Sequence, residues 1–382
     1  MSTVDRAWAK RNLGYDPGAE QPPAAAFAFA AARNPQSDQD IQRDIIDFDS
    51  EASEGAAVDA LAATGSTGLS KFTDIAWPAG LAPQPAPTMP EPDGAPLPKA
   101  DVLVVTWTMD EGHALSRVLT PGKDSKNDWK PYTHNFATLK ADFRPDSPAL
   151  EAGRLGTYWL TTIDKKKVLC FKSDSHMSQD GPKFPNPLVW KQIIAETGAK
   201  LVLTTGTGGG IGSQFEVGDV IVSRYVRFDT ERDFKKYNDD EYDSAAVKNS
   251  RFATAQQLFT YNAKQLPADN NREPKIVVSA GYDSGVATTD FFGFDNTADT
   301  YHLQGVSDLS EMGDAVLGMV CKAMEKPPQW QCVRNVSDPQ IDSDGMTLAQ
   351  QTTFASSIYK RYGRWSSVCS AIVCWAIIVD SP

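Results

Sequence analysis

The arrangement of apolar and polar positions changes sharply near residue 100. Upstream no strand or helix period persists. Downstream, buried-looking runs of strand length alternate with segments of helical spacing. Residues 100–107 (ADVLVVTW) form a β-branched apolar run that predicts a strand, and MDEGHALSRVL (109–119) predicts a helix after it. TYWLTTI (157–163) and KKVLCFK (166–172) predict a hairpin around Asp164 and Lys165. PLVWKQIIAETGA (187–199) has helical spacing with a glycine stop, and AKLVLTTG (199–206) follows as a buried strand. VGDVIVSRYVRF (217–228), KIVVSAG (275–281) and QCVRNVS (331–337) predict further strands. SDLSEMGDAVLGMVCKAM (307–324) predicts one helix, with Ser307 or Asp308 as its N-cap. The last stretch, to VCSAIVCWAIIV (368–379), reads as one or two buried helices. Alternating strands and helices predict an α/β layered domain over residues 100–382. No internal repeat is visible.

The first 99 residues read differently, as an Ala/Pro-rich and largely irregular extension and linker. They hold 12 of the 25 prolines, and eight of these lie between Pro78 and Pro98. Such a linker favours an extended, semi-rigid chain. Within the extension, QDIQRDIIDF (39–48) could form a short docking helix, and DIIDFDSEASEG is acidic, most densely over 47–55.

The chain has 382 residues, 41% hydrophobic, which is enough to build a core. Its 37 basic and 49 acidic residues leave a formal charge of −12. That field disfavours a nucleic-acid polymer or an anionic membrane surface as partner. The five cysteines are irregularly spaced, with no CxxC, and the four histidines stand far apart. Free thiols in a reducing compartment are expected, with no metal and no cofactor. PPAAAFAFAAA (22–32) lacks the features of a signal peptide, and the apolar run at 368–379 is about half the ~20 residues of a spanning helix. A cytoplasmic protein without membrane partners is expected.

TTGTGGGIG (204–212) is the first segment with chemical content. In a G-x-G-x-x-G fingerprint the third glycine would fall on Ile211 or Ser213, and SQFEVGDVIV returns to a strand instead of opening a helix. The segment is therefore neither a dinucleotide loop nor a P-loop. A tight turn after a strand and the close approach of a ligand to bare backbone both remain open.

AKLVLTTGTGGGIGSQFEVGDVIVSRYVRFD resembles the central motif of the nucleoside phosphorylase/nucleosidase superfamily. VLVVTWTMDEGHAL (102–115) is similar to the family's first strand and acidic turn. EMGDAVLG (311–318) with CVRNVSD (332–338) is similar to its "Met-Glu" helix and final strand. Within the family, the chain looks most like the methylthioadenosine/S-adenosylhomocysteine nucleosidase branch. The resemblance implies a three-layer α/β/α sandwich around a mixed, partly barrel-like sheet. It implies a small-molecule purine nucleoside or nucleotide as ligand, and a homodimer or higher homo-oligomer.

It also implies roles for particular residues. Asp338 would protonate the leaving purine, held by Ser337, although an Asp before a proline is also an ordinary turn residue. Glu111 would position the water, although an acid at a helix start is favoured by the dipole alone. Thr207, with Gly208, would face the sugar, Met312 would lie beneath the ribose, and Phe292 would stack on the base unless it is core.

Two departures bear on function. Thr204 stands where the phosphorylases carry a phosphate-binding arginine, so hydrolysis is expected over phosphorolysis. Gly313 stands where the family has its ribose-binding Glu, so either Glu311 or Asp314 takes over the diol or the sugar is held differently. The sequence thus predicts a purine nucleosidase. The alternatives are a phosphate-dependent phosphorylase and a non-catalytic nucleoside-binding module.

Overall fold

The computed structural model describes residues 3–20, 74–238, 240–267 and 272–382. The helix expected at 39–48, the acidic stretch and the alanine-rich segment 22–32 lie outside them.

Four strands run parallel and form the centre of the sheet. Leu201–Gly210 pairs with Val102–Thr106 on one side and with Gln329–Asp338 on the other. Val102–Thr106 pairs in turn with Lys166–Ser173. The hairpin partner Gly156–Ile163 is antiparallel, turning through Asp164 and Lys165 at positive φ. Beyond the centre the sheet is mixed, and among the described residues it has 13 strands in all.

A two-sided sheet explains the unbroken apolar runs. Alternate side chains of a strand point to opposite faces, so a strand covered on both sides must be apolar throughout. Val102, Val104, Leu201 and Leu203 enter one core, while Leu103, Val105 and Val202 enter the other. The first core is closed by the C-terminal helix Leu348–Asp380, which packs on Met109–Leu119 and on Gln329–Asp338. The second is closed by Asn186–Thr197 and Asp314–Lys322. Helices on both faces of a mixed central sheet give the expected α/β class.

The C-terminal segment is one helix of 33 residues. It is long and apolar enough to cross a membrane, yet 94% of its most apolar window is buried inside the domain. A hydrophobic helix of this kind forms the centre of a large core.

Three expectations need correction. VGDVIVSRYVRF is two strands, Val220–Ser223 and Tyr225–Phe228, because Arg224 breaks the run. Only Asp314–Lys322 of the segment 307–324 is helical, with Gly313 as N-cap in place of Ser307 or Asp308. Residues Leu309–Glu311 are instead a strand, because Leu309 and Ser310 pair with Gly210 and Gly209. The glycine run is not a turn either: the strand continues through it to Gly210.

The described parts of the first 99 residues are folded onto the domain. The short helix Arg6–Asn12 sets Trp8 against Phe354 and Tyr362 of the C-terminal helix. Val4 bridges to Ile341. Gln84 and Pro85 pair with Thr162 and Thr161, and Trp77 packs on Trp375, whose Nε1 donates to Leu81 O at 2.7 Å.

Trp375 is fully buried and is held at both its ring face and its N–H. Trp375→Ala is expected to lower the unfolding free energy by roughly 3–5 kcal/mol, read from the urea midpoint at constant slope.

Candidate active site

The four parallel central strands all end at one edge of the sheet, and chain segments leaving such ends converge. Thr106 leads into Glu111, Ser173 leads into His176, Leu201–Gly210 carries Thr207 and Gly208, and Gln329–Asp338 ends on Asp338 itself. One cleft at this edge is lined by Glu111, His176, Thr207, Gly208, Phe292, Glu311, Met312, Ser337 and Asp338, together with Trp107, Arg334 and Tyr359. Every residue singled out in the sequence is therefore in the cleft wall except Asp314, which is buried behind it.

The glycine strand makes this convergence possible. Gly206 has φ +143, and a Cβ there would sit 2.4 Å from the Glu111 carboxyl. A Cβ at Gly209 would lie 3.0 Å from Asp338 Oδ2. The bare backbone gives the two acids room, which a turn or a ligand alone would not have required.

Glu111 is the third residue of its helix and completes a capping box with Thr108. Its Oε2 accepts from Thr106 Oγ1 (2.9 Å), Trp107 N (3.0 Å) and Thr108 N (2.9 Å). Its Oε1 accepts from Thr207 N and Oγ1, both at 2.7 Å. Burial pushes its pKa up, but the Arg334 charge and these donors outweigh burial and hold it below the ordinary value. Glu111 is an anion whose oxygens are both filled by donors.

Asp338 is buried too, with the opposite outcome. A β-bulge between Val336 and Asp338 shifts the register against Gly208 and Gly209 and turns the carboxyl into the cleft. Ser337 Oγ donates to Asp338 Oδ1 at 2.6 Å. Burial pushes the pKa up to about 7, against the smaller lowering by Ser337. No cation pairs with it among the described residues. Near neutral pH, Asp338 can carry a proton.

In the cleft wall, Arg334 is 3% exposed and carries three bonds to two carboxylates. It donates to Asp314 through Nε (2.8 Å) and Nη2 (2.6 Å), and to Glu311 Oε2 at 3.1 Å. Its guanidinium lies 4.7 Å from the Trp107 ring centroid. Glu311 also accepts from Asp314 N at 2.9 Å and from Thr288 Oγ1, and its pKa is raised by burial and by Asp314. Of the two candidates for the sugar hydroxyls, only Glu311 lines the cleft, because the Asp314 carboxylate is committed to Arg334. The place opposite Gly313 is filled by Trp107, whose Cζ2 would lie 3.3 Å from a Cβ there.

Phe292 lines the cleft beside Phe291 and also packs near Phe294, so it is both wall and core. Sequence reasoning missed Trp107, Arg334, Tyr359 and His176. The C-terminal end of Lys166–Ser173 would have pointed to His176; Tyr359 betrays itself only by its 2.9 Å bond to Thr108 Oγ1. Among the described residues no cluster of His, Cys, Asp and Glu side chains could hold a metal ion.

The family described as the phosphorylase superfamily matches residues 131–364, more than half of the chain. No curated protein matches the chain. Solved structures similar to it include a 5′-methylthioadenosine/S-adenosylhomocysteine nucleosidase from Neisseria meningitidis in complex with methylthio-immucillin-A, at 15% identity. The alignment covers 73% of this chain and 99% of that one, with a TM-score of 0.46. An S-adenosylhomocysteine nucleosidase from Streptococcus pyogenes is 14% identical, covering 75% and 99%, with a TM-score of 0.46. A futalosine hydrolase of Helicobacter pylori is 11% identical, covering 72% and 96%, with a TM-score of 0.44.

Arg334→Leu would leave Glu311 and Asp314 as buried, uncompensated carboxylates. A loss of roughly 3–5 kcal/mol in unfolding free energy is expected at pH 7. A urea melt at pH 7, read from the midpoint at constant slope, checks this.

Proposed function

The chain belongs to the phosphorylase superfamily, and from that premise we propose that it is a purine nucleosidase, hydrolysing the N-glycosidic bond of a purine nucleoside or nucleotide to free base and sugar. The observation that carries this reading is the pair of buried acids in one cleft. Asp338 is raised to about 7, while Glu111 is held ionised.

Cleaving this bond passes through a sugar with oxocarbenium character, while electrons flow into the purine. A neutral acid beside the base and a fixed negative charge beside the sugar match that distribution. Asp338 protonates the leaving purine. Glu111, anchored by five donors, stabilises the cationic sugar through its charge and holds the Thr207 hydroxyl in place. In the same reading Glu111 also positions the attacking water, the role read for it from the sequence.

Hydrolysis is favoured over phosphorolysis by the state of Arg334. It is the only arginine lining the cleft among the described residues, and its guanidinium is committed to Asp314 and Glu311. Its Nε and Nη2 are taken by these carboxylates, which leaves only Nη1, 3.5 Å from Thr207 O, for a phosphate. The place beside Gly313, occupied by Trp107, leaves Glu311 as the acid that can meet the sugar hydroxyls.

Chromatography of free base released from adenosine, inosine, guanosine, their nucleotides and 5′-thio-substituted adenosines is the direct test. A purine and a free sugar are expected, at a rate indifferent to added phosphate. Asp338→Asn is expected to lower kcat by about 10²–10⁴-fold with the fold intact; an unchanged rate sinks the assignment. Because the protonated form of Asp338 is the active acid, the wild-type rate should fall as the pH rises through about 7.

A further inference from the structure

The donors around Glu111 leave open which group receives the proton of the attacking water. His176 faces the same cleft from the segment that follows Lys166–Ser173. Its backbone is fixed by Asp180, whose Oδ2 accepts from His176 N at 2.9 Å, Ser175 Oγ at 2.7 Å and Asn186 Nδ2 at 2.7 Å. Its ring is fixed by Ser178, with Oγ 2.9 Å from Nδ1. Nε2 has no hydrogen-bond partner among the described residues. The imidazole is thus held at one nitrogen and left open at the other.

We infer that His176 is the catalytic base of this site, with Nδ1–H donated to Ser178 Oγ and Nε2 accepting the proton of the attacking water. The inference rests on the nucleosidase reading and deepens it. In the step, a water lone pair forms the bond to the anomeric carbon and the bond to the purine nitrogen breaks. Its electron pair stays on the purine, which takes the Asp338 proton. The water's proton passes to Nε2, leaving imidazolium and an Asp338 carboxylate, and solvent restores both.

The surroundings suit this task. Burial lowers the His176 pKa to about 4; Glu111 raises it, while Arg334 and Lys172 lower it. The ring is therefore neutral, with a free lone pair, at neutral pH. A weak base suffices, because water bonded to an oxocarbenium carbon becomes a strong acid. Once the imidazolium forms, the anionic Glu111 stabilises it.

The test uses the full-length protein and the fastest nucleoside among adenosine, inosine, guanosine and the 5′-thio-adenosines. His176→Ala is expected to lower kcat by about 10²-fold or more while KM stays within about threefold, and added imidazole should restore part of the rate. His176→Gln, which keeps a polar group in the ring's place but accepts no proton, should show the same loss without rescue. Thermal melting establishes that each variant is folded. A kcat within about threefold of wild type in either folded variant overturns the inference. So does a defect confined to KM, or one seen only in phosphate. A wild-type protein that releases no base from any of these nucleosides or from their nucleotides defeats the nucleosidase reading itself, and the two failures are therefore distinguishable.

Discussion

The buried guanidinium of Arg334 is the charge on which the site depends. It sits in the strand that ends on Asp338 and ties that strand to Glu311 and Asp314, at the start of the next helix in space. A positive charge without partners at this depth would be prohibitive, and so would either carboxylate alone. Together they form a cluster that fixes the distance between the final strand and Asp314–Lys322. The same field reaches Glu111 and keeps it ionised despite burial. The cation therefore keeps Glu111 ionised, while Asp338 is raised by its own burial.

Two acids with the same degree of burial end in opposite states because the backbone treats them differently. Glu111 lies at a helix start and under the glycine strand, where N–H groups are in surplus. Asp338 lies past a β-bulge, where the strand ladder is interrupted and the Ser337 hydroxyl donates to it. Charge separation in the cleft thus follows from two ordinary features of secondary structure.

Much of this was legible in the sequence. Unbroken apolar runs pointed to the central strands, because strands buried on both faces leave no polar positions. Glu111, Asp338 and Thr207 were legible through the motifs around them. The helix over 307–324 was misread because Leu309 and Ser310 satisfy a helical apolar pattern while their backbone is captured by Gly210 and Gly209, about a hundred residues away. Arg334 looked like an ordinary polar residue within a strand; its partners lie on another element. His176 stands in the polar segment SDSHMSQD, which has no periodicity to read. Its place follows only from the strand order, which joins four parallel ends at one edge.

The bridge between Val4 and Ile341 has a kinetic side. Val4 N donates to Gln340 O at 2.8 Å, and Thr3 Oγ1 to the Gln340 side chain at 2.9 Å. Gln340 is two residues past Asp338 and in turn donates to Asp295 Oδ2 at 2.8 Å. The partners in this wall are separated by 337 positions of chain. Contacts this distant in the chain form late, so the wall behind the acid closes only after residues near 340 have come together with those near 4. Assembly of the cleft is thereby coupled to the meeting of two distant parts of the chain, and a chain cut before residue 340 lacks this wall.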